Sequence, residues 1–182
     1  NDDYENNNIL YSLMYAEQEM DDEFIASYSD IVFRKDIVEQ LQHQKDPIVI
    51  VVDVDWKNSY EGRTNHPIEQ AENVIFDSNN HVIEIGKHVG NTERSGSDAM
   101  GEFIGMMKCT KEGAEIFEKY FREVKQTFAG KPFMQAKVVD QAYLTDFFQY
   151  LTENGVKITC MFIYGGWYEV DTHSMAQTCP LI

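Results

Sequence analysis

Two aspartates in this chain of 182 residues stand where chemistry is expected. The apolar run Phe24-Ile25-Ala26-Ser27-Tyr28, which reads as a short buried strand, ends at Ser29-Asp30. Open α/β sheets bind ligands beyond the carboxyl ends of their strands, so a carboxylate there suits a metal ligand. Asp171 occupies the similar setting Trp167-Tyr168-Glu169-Val170-Asp171-Thr172, after a strand and before a short helix. Two carboxylates from separate strand ends are what a magnesium ion needs when substrate phosphates and water fill its other octahedral positions. Either aspartate would serve equally well as a turn former or helix cap. A third feature is the segment with Trp56, Tyr60, Arg63 and His66, which holds more aromatic and cationic groups than a plain connection needs.

These residues must be positioned by the elements around them. Ile9, Leu10, Leu13, Met14 and Ala16 recur at helical spacing behind Asn6-Asn7-Asn8, which supply N-cap acceptors, so a helix is expected over 8–20. Strand 24–28 is followed by a helix over 36–44, closed before Pro47. Ile48-Val49-Ile50-Val51-Val52 is β-branched without alternation, as in a strand covered on both faces of a largely parallel sheet, and it ends at Asp53. Segments 73–76 and 82–85, joined by Asp77-Ser78-Asn79-Asn80, read as a hairpin. After a Gly- and Ser-bearing loop from Gly90 to Ala99 come a strand over 103–107, a helix over 111–128 and a helix over 138–154 ended by Gly155. A strand over 156–164 and a short helix near Ser174 complete the chain. Neither repeat nor linker interrupts the pattern, which describes a single α/β domain, 1–182, with a mixed, mainly parallel sheet flanked by helices.

Composition narrows the function. Lys and Arg total 15 against 31 Asp and Glu, a net charge of -16, which repels a nucleic-acid backbone. An acidic protein that binds a small anion needs a divalent cation and a few placed basic side chains. Cys109, Cys160 and Cys179 are far apart and odd in number, which indicates neither a zinc site nor a disulfide framework and suits a reducing cytoplasm. The longest strongly apolar run, 47–52, is far shorter than the roughly 20 residues that cross a bilayer. His43, His81, His88 and His173 show no metal spacing and are expected at the surface, and Met106-Met107 in the core.

Taken in order, several short motifs form a pattern. Asn7-Asn8-Ile9 with Tyr11-Ser12-Leu13, then Tyr28-Ser29-Asp30, and Trp167-Tyr168-Glu169-Val170-Asp171-Thr172 resemble the motifs of the phosphocholine and phosphonate cytidylyltransferases. Asp53-Val54-Asp55-Trp56, Tyr60, Gly62-Arg63, His66-Pro67 and Gly101-Glu102-Phe103-Ile104-Gly105 resemble the nucleotidyltransferase domain associated with phosphoenolpyruvate mutase. The resemblance covers nearly the whole chain and implies a sugar-nucleotidyltransferase-like fold, with the strand and glycine-rich loop that open the family not present in this chain.

That resemblance implies attack by a phosphonate or phosphate oxygen on the α-phosphorus of CTP, with pyrophosphate as leaving group. It implies that Asp30 and Asp171 hold magnesium, that Lys87 contacts phosphate as a catalytic residue, and that Asn8, Ser12 and Ser29 join Lys87 at the nucleotide. Arg63 and His66 would grip the acceptor's phosphonate, since a guanidinium forms a bidentate fork to such oxygens and an imidazole donates another hydrogen bond. Asp55, Trp56, Tyr60 and Trp167 would sit beside them, and Glu102 would face an amine of the acceptor. A quaternary ammonium would call instead for an aromatic cage from Trp56, Tyr60, Phe103, Trp167 and Tyr168. The Thr145-Asp146 pair resembles one near the family's active site and also fits an ordinary amphipathic helix. A phosphonate such as 2-aminoethylphosphonate is the first expectation for the acceptor and phosphocholine the second. The implied partners are CTP, a phosphoenolpyruvate mutase by fusion or association, and a second copy in a homo-oligomer. A catalytically silent binding or assembly module is the rival of another class. Asp53-Val54-Asp55 also matches the DxD pattern of metal-dependent glycosyltransferases, a third reading.

Overall fold

The computed structural model describes residues 1–60, 67–89, 99–170 and 172–179. The β-branched run forms β3 (Ile48–Asp53), every residue of which is buried. Its alternate side chains feed two apolar layers: Ile48, Ile50 and Val52 pack on one face of the sheet, Val49 and Val51 on the other. The absence of alternation in the sequence thus reflects burial on both faces. β3 runs parallel to β7 (Thr159–Ile163) and antiparallel to the long β6 (Ala99–Cys109).

β6 organises the sheet. One edge pairs with β3, while the other is shared end to end by β1 (Phe24–Ser27), which pairs with Met106–Cys109, and β4 (Glu72–Phe76), which pairs with Ala99–Glu102. β5 (Val82–Lys87) extends β4 as the predicted hairpin, giving the order β5-β4-β6-β3-β7 with β1 off that path. The fold is mixed α/β, but the expectation of a mainly parallel sheet is corrected. Among the described residues, the β3–β7 pair is the one parallel pairing. The five-residue connection after β4, 77–81, leaves room for a hairpin and none for a crossover helix.

The first apolar layer is closed by three helices. α1 (Ile9–Met14) buries Leu10 and Met14. α3 (Lys111–Thr127), capped by Thr110, buries Ala114, Phe117, Phe121 and Val124 at helical spacing, and α4 (Leu144–Glu153) inserts Phe147 and Phe148 edge-on against Phe117. On the second face lie α2 (Lys35–Gln42) and a short ribbon absent from the sequence reading, β2 (Ile31–Phe33) paired with β8 (Trp167–Glu169). α5 (His173–Thr178) follows the ribbon. Fully buried Lys108 caps the carboxyl end of α2 by donating to the carbonyls of Gln42 and Gln44, and pairs with Glu23.

Two helices are shorter than expected. The segment 8–20 divides into α1 and a 3-10 turn at Glu17–Glu19, because its apolar stripe ends at Met14. The segment 138–154 divides into a 3-10 turn at Val139–Gln141 and α4, whose start is fixed by Asp146 accepting the Tyr143 N–H at 2.9 Å. Met106 and Met107 are buried in the core as expected.

Candidate active site

The shared edge of β6 leaves Phe103, Ile104 and Gly105 between the end of β1 and the start of β4. β6 also bulges here, since Met107 faces Ile50 while Phe103 faces Val52. Gly105 adopts φ +79°, and Tyr28 closes over it: a Cβ at Gly105 would lie 2.3 Å from the Tyr28 ring, so only glycine fits this approach. The Tyr28 N–H donates to the Gly105 carbonyl at 2.8 Å. The gap between the strands opens into a cleft of about 230 Å³. A second cleft, of about 250 Å³, adjoins it across Tyr28 and Ile9.

Residues from distant segments meet here. Asn8, Asp30, Lys87, Glu102 and Trp167, each singled out in the sequence, line the main cleft, and Ser12 and Ser29 line the adjoining one. Asn8 caps α1 by accepting the Ile9 N–H at 2.8 Å. Asp30 is exposed at the turn before β2, and its carbonyl accepts the Val170 N–H at 2.7 Å, so the β2–β8 ribbon ties Asp30 to residue 170. Asp171, Arg63 and His66 lie outside the described residues, as does the loop over 90–98.

Asp55 and Trp56 line neither cleft. Asp55 accepts the Asn58 side-chain N–H at 2.7 Å within a 3-10 turn, and Trp56 is buried edge-on against Tyr60 with Ala71. Tyr60 donates to a carboxylate oxygen of Glu102 and so supports a residue of the main cleft. Asp53 is fully buried, with Oδ1 accepting the N–H groups of Asp55 (2.9 Å) and Gly165 (3.1 Å) and Oδ2 accepting the Trp167 indole N–H (2.8 Å). A carboxylate so enclosed cannot reach an external ion, which removes the physical basis of the DxD reading. It holds Trp167 in the cleft wall instead.

The sequence reading missed Glu72, Tyr143 and Glu169, which also line the main cleft. Glu72 accepts the Thr145 hydroxyl at 2.7 Å and the Tyr28 hydroxyl at 3.0 Å. Burial raises its pKa above the ordinary 4.5, against the lowering effect of these two hydroxyls and of the Lys87 charge. Burial also raises the Tyr28 hydroxyl well above its usual range, and the neighbouring Glu72 charge adds to this. The one signal for Glu72 in the sequence was a carboxylate just before the strand expected over 73–76. Lys87 extends over the Tyr143 ring, its Nζ 4.3 Å from the centroid, and its carbonyl accepts the Gln135 side-chain N–H at 2.9 Å.

Among the described residues, four carboxylates and one lysine line the main cleft. This is a field that favours cations and admits a phosphate next to Lys87 or a metal. Asp30 and Glu169 offer the hard oxygen donors that magnesium takes. No three His, Cys, Asp or Glu side chains among the described residues come together closely enough to hold an ion by themselves. Nor is any helix among them long and apolar enough to cross a membrane.

No family model matches the chain. Over 177 residues it is 27% identical to the CTP:phosphoglutamine cytidylyltransferase of Campylobacter jejuni subsp. jejuni serotype O:2, covering 94% of this chain and 66% of that protein. The chain therefore spans about two thirds of the length of this relative. Its structure is similar to the inositol-1-phosphate CTP transferase from T. maritima, with a TM-score of 0.62 at 14% identity, covering 93% of this chain and 58% of the other. It is also similar to CMP:2-keto-3-deoxy-manno-octonic acid synthetase complexed with CTP, with a TM-score of 0.53 at 10% identity, covering 93% and 65%. The mixed sheet flanked by helices is thus a nucleotidyltransferase-like fold.

Proposed function

We propose that the chain carries the metal- and acceptor-binding part of a cytidylyltransferase that transfers CMP from CTP to a small phosphorylated or phosphonylated molecule. The observation that carries this reading is the cleft at the divided edge of β6. It gathers Asn8, Asp30, Lys87, Glu102 and Trp167 from five separate segments, in a nucleotidyltransferase-like fold and a sequence related to a CTP-dependent enzyme.

The reaction joins an acceptor phosphonate or phosphate oxygen to the α-phosphorus of CTP and breaks the bond from that phosphorus to the bridging oxygen of pyrophosphate. Such chemistry asks the protein chiefly to position reactants and offset charge. Lys87 supplies a cation beside the phosphates, and Asn8, Ser12 and Ser29 supply polar contacts to the nucleotide from the two adjoining clefts. Magnesium, when bound, would offset phosphate charge, with Asp30 and Asp171 as its protein ligands; the tie between Asp30 and Val170 supports that pairing. Arg63 and His66 are the proposed grip on the acceptor's anionic head, and Glu102, supported by Tyr60, the partner of its amine.

The acceptor we favour is a primary-amine phosphonate such as 2-aminoethylphosphonate, with phosphoglutamine, named in the relative's activity, as the alternative. Phosphocholine is less favoured. Trp56 and Tyr60 pack edge-on against each other in a small apolar cluster and line neither cleft, so two of the five aromatic residues of the expected cage are taken. A cytoplasmic location, a homo-oligomer and an association with a phosphoenolpyruvate mutase belong to the same proposal.

The test is pyrophosphate release by the full-length protein with CTP, magnesium and a panel of 2-aminoethylphosphonate, phosphoglutamine, phosphocholine and ethylphosphonate. Asp30→Ala and Asp171→Ala should each lower kcat by at least about a hundredfold, the scale of losing one metal or oxyanion contact. Silence with every nucleotide and acceptor would leave a binding or assembly module as the better account.

A further inference from the structure

Glu72 and Lys87 stand directly opposite each other on β4 and β5. Opposite charges at such positions ordinarily pair across the strands. Here they are not joined: Glu72 is held by the hydroxyls of Thr145 and Tyr28, and the Lys87 ammonium lies over the Tyr143 ring.

Two residues in the first turn of α4, Thr145 and Asp146, account for the separation. Thr145 Oγ1 donates to Glu72 Oε1 at 2.7 Å while the Tyr28 hydroxyl donates to Oε2 at 3.0 Å, so each carboxylate oxygen is held toward a hydroxyl. The Asp146 carboxylate accepts two backbone N–H groups, Tyr143 to Oδ2 and Gln135 to Oδ1, both at 2.9 Å. Both bonds lead to Lys87. The first fixes the segment that places the Tyr143 ring beneath the ammonium, and the second fixes Gln135, whose side chain donates to the Lys87 carbonyl. Asp146 is buried, so its geometry is set by packing.

We propose that Thr145 and Asp146 form a positioning brace that keeps Glu72 and Lys87 from neutralising each other, so that the cleft presents a carboxylate and a cation separately to a zwitterionic acceptor. The phosphate or phosphonate of such an acceptor, gripped by Arg63 and His66, comes within reach of Lys87 beside the CTP phosphates, and its primary ammonium lies between Glu102 and Glu72, which line the same cleft. Glu72 is already desolvated in place and neither it nor Lys87 must first break an ion pair, which lowers the cost of binding. A quaternary ammonium offers Glu72 no N–H. The identity of the ligand as an acceptor rests on the cytidylyltransferase reading; the brace does not.

The experiment has two arms on the full-length protein. In the first, without substrate, the Lys87 ammonium is followed by NMR of nitrogen-labelled lysine, assigned with Lys87→Arg. Its signal should move in Thr145→Val and in Asp146→Asn, and Glu72→Gln added to Asp146→Asn should bring it back. Thr145→Ser should keep the wild-type position. An unmoved signal in both brace variants overturns the proposal. If Asp146→Asn does not melt cooperatively, Gln135→Ala, which removes one strut alone, takes its place.

In the second arm, 2-aminoethylphosphonate and ethylphosphonate are compared as acceptors with CTP. The aminated compound should show a KM lower by about tenfold, the scale of one charge-assisted hydrogen bond, and Glu72→Gln should narrow the difference to about threefold, the remainder resting on Glu102. Asp146→Asn should raise the KM for 2-aminoethylphosphonate about tenfold and change kcat less. Equal use of the two compounds by the wild type overturns the zwitterion assignment. Absence of turnover with any acceptor sinks the cytidylyltransferase reading, while the first arm still decides the brace.

Discussion

Replacing Asp53 by asparagine should cost more stability than any comparable change at the surface. Three N–H donors converge on this fully buried carboxylate: the backbones of Asp55 and Gly165 on Oδ1 and the Trp167 indole on Oδ2. An asparagine offers one acceptor oxygen and one donor. If its oxygen keeps the two backbone bonds, its amide N–H groups face the indole N–H, leaving a buried donor unsatisfied at about 1–3 kcal/mol. The two retained bonds also lose their charge assistance, at about 0.5–1 kcal/mol each. The sum is about 3 kcal/mol, a sizeable part of the stability of a single domain. For a chain of this length it corresponds to a fall in Tm of about 6–12 °C.

The assay is urea and thermal denaturation of wild type, Asp53→Asn, Trp167→Phe and the double variant. Trp167→Phe removes the donor that asparagine cannot accept, so the double variant should be more stable than the sum of single effects predicts, by about 1–2 kcal/mol. Because Trp167 forms part of the cleft wall, the acceptor KM should rise in both single variants. An Asp53→Asn protein within about 0.5 kcal/mol of wild type would refute the reasoning, since that is the range of an ordinary surface change. Additive single effects would refute the coupling.

Two further predictions concern the cleft floor and its charge. Gly105→Ala should destabilise the protein by about 1–3 kcal/mol, because it combines a left-handed backbone with a contact to the Tyr28 ring, and calorimetry reads the loss directly. Glu72 holds its proton more tightly in the folded chain than in the unfolded one, so its contribution to stability is fully present below pH 4.5 and is lost as pH rises through its raised folded value. Denaturation midpoints of Glu72→Gln across that range should fall less steeply with pH than those of wild type, and an unchanged slope would contradict the raised value. Where Glu72 receives an ammonium, acceptor affinity should run the other way and improve as the carboxyl ionises.

The order of elements was largely legible from the sequence, because each depends on local pattern. β3 announces itself as an unbroken β-branched run, β4 and β5 as two short strands about an Asp- and Asn-rich turn, and α3 as an apolar stripe begun by Thr110 and followed by Gly130. The β2–β8 ribbon was not legible. Its strands are three residues each, too short to carry a period, and they are fixed by pairing across more than 130 positions. The same limit explains the sheet: an unbroken apolar strand reports that both faces are covered, which antiparallel and parallel neighbours achieve equally.

For the candidate site, residue types and motif order were enough to nominate Asn8, Asp30, Lys87, Glu102 and Trp167, since the chemistry that needs a carboxylate, a lysine or an indole is a property of the side chain itself. Which of the nominated residues meet was decided by tertiary structure. Trp56, as aromatic as Trp167, turns into a small apolar cluster, whereas Trp167 is turned to the cleft by its bond to Asp53, 114 positions away. Glu72 looked like any strand-end carboxylate until the divided edge of β6 brought Tyr28, Thr145 and Lys87 around it. Periodicity and composition are local sums over the chain. Burial, hydrogen-bond partners and the field at a carboxylate depend on which distant segments are packed against it, and here the bulge at Gly105 and the two strands sharing β6 made that choice.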